Sequence, residues 1–76
     1  MNNARRKAIA ELSGQVNDLK EALEPLRDEE QEYFDNMPES FQQGEKGEAA
    51  QEAVNALEEA VDALTEAFEA LERSVE

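Results

Sequence analysis

Ala50, Val54, Leu57, Val61, Leu64, Phe68, Leu71 and Val75 alternate at spacings of four and three residues without a break. That period describes a helix whose apolar stripe must pack on another helix, and it excludes a strand, which would need alternate residues apolar. The residues between are mostly alanine and glutamate, both strong helix formers. With Val54 at position a of a heptad abcdefg, alanines fill position g (Ala53, Ala60, Ala67) and position c (Ala49, Ala56, Ala63, Ala70). A two-stranded coil would carry charges at g. Small residues there widen the apolar face and let another helix approach closely, as in a bundle. The remaining arc carries Glu52, Glu58, Glu59, Asp62, Glu66, Glu69, Glu72 and Glu76, and this order argues against disorder in an acidic segment.

An earlier run, Ile9, Leu12, Val16, Leu19, Leu23, Leu26, Tyr33 and Met37, keeps the same spacing with one failure at Glu30. It predicts a helix over about residues 4–35, capped by Asn2 or Asn3. Gly14 and Pro25 fall on its outer face, where proline kinks the helix rather than ending it; two helices meeting at Glu24–Pro25 remain the alternative. The linker 36–47 contains a proline and two glycines, and a single helical turn at Pro38–Gln43 would tuck Phe41 back against the hairpin end. The second helix is expected over about 48–75. One all-α domain, residues 1–76, follows: an antiparallel, coiled-coil-like helical hairpin. A chain of this length buries a small core, so a homodimer is expected, with Ala49, Ala53, Ala56, Ala60, Ala63, Ala67 and Ala70 pairing two hairpins into a four-helix bundle.

Charge is distributed unevenly. Residues 1–27 hold four acids and five bases, a net +1, whereas residues 28–76 hold sixteen acids and two bases, a net −14. The misplaced bases Arg5, Arg6 and Lys7 are expected beside the acidic end of the second helix, complementing its dipole. Such an acidic surface repels nucleic acid and anionic membranes and favours basic partners. Direct nucleic-acid binding and a membrane location are therefore not expected, and the broken apolar segment after the basic start points to a soluble, cytoplasmic protein.

The stretch DEEQEYFDNMPES is the one candidate for metal or acid–base chemistry, through Asp28, Glu29, Glu30, Glu32 and Asp35. A helix disperses these carboxylates around its circumference. With no histidine and no cysteine in the chain, the Glu-x-x-His pairs of a diiron bundle and a thiolate zinc site are both missing. An EF-hand loop would need alternating oxygen ligands around a central glycine, which the stretch lacks. Ser13, Ser40 and Ser74 have no activating base, and Gly44 and Gly47 sit among acids that would repel a phosphate. The expectation is a non-enzyme without a cofactor, in which this stretch ends one helix and turns the chain.

From Arg27 to Gln42, RDEEQEYFDNMPESFQ, followed by Gly47–Glu48 and an acidic, alanine-rich amphipathic helix, the chain resembles a group of small, acidic, largely uncharacterised helical proteins encoded by bacteriophages and prophages. The resemblance implies a viral accessory protein that binds and modulates, by inhibition, a host or phage protein in the host cytoplasm. No site residues come with it. From the residues themselves, the candidate partner-binding groups are the acids Glu58, Glu59, Asp62, Glu66 and Glu69, or the hairpin tip at Tyr33, Phe34, Met37 and Phe41.

A narrower alternative is a DNA-mimic inhibitor of a nucleic-acid-binding enzyme or defence system. Residues 48–76 carry nine acids, and at 1.5 Å per residue that is one charge per roughly 5 Å, against one per ~1.7 Å in duplex DNA. Two such helices side by side would come to about one per 2.4 Å, near the duplex value. A structural or assembly protein is the third class.

Overall fold

The computed structural model describes all residues, 1–76, as three helices: α1 (Asn3–Asp35), α2 (Glu39–Gln42) and α3 (Glu45–Ser74). There are no strands. α1 and α3 pack against each other as an antiparallel hairpin 58 Å long and 14 by 13 Å across.

Local chemistry sets the helix ends. Asn2 begins α1: its side-chain Oδ1 accepts from the Arg5 amide at 2.7 Å, meeting one of the donors that a helix start leaves unpaired. α1 then runs unbroken through Pro25, which lies exposed on its outer side, so the split at Glu24–Pro25 does not occur. At its far end, Asn36 is the C-cap, its amide bonded to the Glu32 and Phe34 carbonyls.

The turn differs from expectation. The Pro38 carbonyl accepts from the amides of Phe41 and Gln42 and so starts the single turn of α2. The residue that reaches back is Gln42, not Phe41. Its Nε2 donates to the carbonyl of Phe34 at 3.0 Å, which also accepts from the Met37 amide, and to that of Asp35 at 3.4 Å, tying α2 to the end of α1. Phe41 stays half-exposed, with the Lys46 ammonium 5.6 Å from its ring centre.

α3 starts at Glu45, three residues before the expected position, with Gly44 as its extended N-cap. Gly47 therefore lies inside the first turn, where it is buried. A Cβ there would lie 2.0 Å from the Gln42 carbonyl oxygen, so only glycine lets the end of α2 close onto α3. Glu45 and Glu48 in the first turn complement the helix dipole, and Arg73 does so in the last.

The seam is narrow. Ala50, Val54 and Val61 are its fully buried apolar side chains, joined by the buried hydroxyl of Ser13. Ser13 Oγ donates to Glu72 Oε1 at 3.1 Å, which fixes the register of the two long helices. In that register Arg5, Arg6 and Lys7 lie beyond Ser74, the last residue of α3. Both ion pairs in the structure, Lys20–Glu24 and Arg27–Asp28, lie within α1, so the three bases do not pair with α3 as expected.

Exposed surface totals 5520 Å². That is roughly 900 Å² above the ~4,650 Å² typical of a compact monomer of 8.5 kDa.

The two glycines predict opposite outcomes. Nothing lies within 4 Å of a Cβ on Gly14, so Gly14→Ala should stabilise the chain by up to about 1 kcal/mol in urea denaturation. Gly47→Ala should destabilise it by about 1–3 kcal/mol, because the added methyl meets backbone that cannot rotate away.

Candidate functional site

The rotation of α1 about its own axis defines the site. With Ile9, Val16, Leu23 and Glu30 at position a, the spacing of the earlier run placed Leu12, Leu19, Leu26 and Tyr33 at position d, inside the hairpin. Instead these four remain 53%, 60%, 54% and 55% exposed. The half-buried and buried positions of α1 are Ile9, Val16, Leu23 and Glu30, the next row round, Ser13, Lys20, Arg27 and Phe34, and beyond it Asn17, Glu24 and Gln31. α1 has thus turned its leucine row out of the seam.

The cause lies on the opposite side of the hairpin. The Ser13–Glu72 bond brings the row Ser13–Lys20–Arg27 of α1 alongside the row Gln51–Glu58–Thr65–Glu72 of α3. That side combines a small hydroxyl and two cations from α1 with two acids from α3. Only the Ser13–Glu72 hydrogen bond crosses between the helices on this side, since Lys20 and Arg27 pair with Glu24 and Asp28 of α1 itself, and the long stems of Lys20 and Arg27 cover apolar surface.

The consequence is a hairpin with two unlike sides. One is polar, as just described. The other bears a groove of about 310 Å³ lined by Leu19, Ala22, Leu23, Leu26 and Leu64, the only pocket on the molecule. Because antiparallel helices turn in mirror fashion about their seam, the g and c alanines of α3 flank this same side. Ala53 and Ala60 are half-buried against it, while Ala49, Ala56, Ala63, Ala67 and Ala70 are exposed. The α1 half of this side thus carries mostly leucines, with Ala22 among them, and the α3 half carries alanines beside Leu64.

The acids predicted as partner-binding groups lie elsewhere. Glu58, Glu59, Asp62, Glu66 and Glu69 are all exposed on α3, away from the alanine rows, and none has a cation within ion-pair distance. At the tip, Phe34 and Met37 are half-buried whereas Tyr33 and Phe41 are exposed. The tip groups are therefore not one patch: Tyr33 continues the leucine row, and Phe41 lies under Lys46. Asp28, Glu29, Glu32 and Asp35 are exposed and Glu30 half-buried, and no group of three or more carboxylates is placed to hold a metal ion. No helix is long and apolar enough to cross a membrane.

The residues that sequence reasoning misassigned are Leu12, Leu19 and Leu26. A signal for their true position was available: Ser13, Lys20 and Arg27 also recur every seven residues, as do the acids Glu58 and Glu72 at twice that interval. No protein-family model, curated protein or solved structure matches the chain.

With a formal charge of −13 and no ion pair between helices, like-charge repulsion opposes compaction. Raising sodium chloride from 20 to 300 mM should therefore increase the melting temperature followed by circular dichroism. A flat or falling value would show that self-repulsion does not control stability.

Proposed function

We propose that this chain is a non-enzymatic interaction protein of the phage accessory type, which works as a homodimer and inhibits a host or phage protein through its acidic exterior. The observation that carries this is the division of the hairpin surface: an exposed apolar side, and a row of exposed, unpaired acids on a separate arc of α3. The first kind of surface buries itself in assembly. The second is left facing outward, where it attracts a basic partner at long range.

A duplex-mimicking inhibitor is the narrower form of the same reading. It is supported by the rigidity of the acidic surface, since α3 is one continuous helix that holds its carboxylates at regular intervals. Mimicry and ordinary docking respond differently to salt.

Self-association is tested by sedimentation equilibrium at micromolar concentration, with a mass of twice 8.5 kDa expected. Ala60→Glu and Ala63→Glu should each shift the mass to that of the monomer while helicity is largely kept. For the partner, the tagged chain is incubated with bacterial lysate and washed at low and high salt. A basic DNA-binding protein held at low salt and displaced by duplex DNA favours mimicry, and a partner held through both washes favours apolar docking. Recovery of nothing at either salt would overturn the binding function.

A further inference from the structure

We infer that two hairpins pair about a two-fold axis parallel to their length, so that the leucine row of α1 in each copy packs over the alanine rows of α3 in the other. This rests on the homodimer proposed above and specifies its geometry.

Three observations name a second copy as the occupant of the apolar side. First, the side is extended: the exposed row from Leu12 to Tyr33 runs roughly 32 Å along the hairpin, its four side chains each more than half exposed, a length that a second hairpin matches.

Second, the side is complementary to itself. Ser13 stands level with Glu72, and for each heptad that α1 advances, antiparallel α3 retreats by one. Leu19, Leu26 and Tyr33 therefore stand level with Ala67, Ala60 and Ala53, to within about one residue or 1.5 Å. A lengthwise two-fold axis preserves height and exchanges α1 for α3. Leu19, Leu26 and Tyr33 of one copy are thereby set against Ala67, Ala60 and Ala53 of the other, while Leu12 meets the Arg73–Ser74 end of α3.

Third, the alternatives pack worse. A crosswise axis would stack the leucine row on itself and the alanine rows on themselves, leaving ridge against ridge and trough against trough. Protein interiors do not tolerate such voids without loss of stability. A basic protein is a poor occupant, because the groove lining is entirely apolar and the unpaired acids are on another arc. About either axis every neighbouring pair of long helices is antiparallel and the acid rows point outward, so the choice between the axes rests on the side-chain sizes alone.

The test uses the full chain with single cysteines, which the native sequence lacks. Leu26→Cys and Ala60→Cys chains are mixed, allowed to exchange, and treated with a short thiol cross-linker. Helicity by circular dichroism and mass by sedimentation are measured on each variant beforehand. About half of the chain should become covalent dimer in the mixture, as random exchange of a symmetric dimer requires, and little should do so in either variant alone. Ala63→Cys, near the middle of α3, is the control for the crosswise axis, about which it would face its own copy. A dimer that cross-links through Ala63→Cys alone, or that fails to link Leu26→Cys to Ala60→Cys, overturns this geometry but leaves self-association standing. A helical monomer overturns both.

Discussion

The close approach of α1 and α3 governs the rest of the molecule. Ala50, Val54 and Val61 are small or β-branched, and they alone among the apolar side chains are fully buried. Ser13 lies at the same depth and joins the helices through Glu72. Two helices in contact along one line can cover only a limited arc of each other. Each long helix here has an apolar arc wider than that, so closing the seam necessarily leaves apolar surface outside. On one flank of α1 the Ser13 hydroxyl crosses to Glu72, and the leucine row is left on the other flank, outside the seam.

The turn serves this contact. Gly47 has its place inside α3 because any side chain would strike the Gln42 carbonyl, and Gln42 in turn closes the end of α1 with its side-chain amide. One glycine and one glutamine thus bring three helix ends to a point. Pro25 shows the opposite case. Its missing backbone donor lies on the exposed side of a helix of 33 residues, and the tertiary contact along the seam carries the helix past it.

Acidic charge and apolar surface are segregated on this hairpin, which links its architecture to the proposed role. Apart from Glu72, which accepts from Ser13 across the seam, the carboxylates of α3 are exposed on an arc away from the leucine row. In the proposed dimer, assembly through the apolar side would set acidic helices next to one another, their repulsion opposed by apolar burial along the shared face.

The sequence by itself determined much of this. The three-and-four spacing from Ala50 to Val75 specified a long amphipathic helix, because only that period lines up those residues on one face. The alanines at g and c showed that the face exceeds a single seam, and the pair Asn2–Asn3 marked the start of α1, with the structure choosing Asn2 as the cap. Only the tertiary structure decided the rotation of α1. The leucine row and the Ser13–Lys20–Arg27 row repeat with the same period, so both are available to the seam, and the choice between them depends on which groups α3 presents across it. The early start of α3 was equally hidden. A glycine ends or interrupts a helix in isolation, and Gly47 belongs to one only because the Gln42 backbone lies where its side chain would have been.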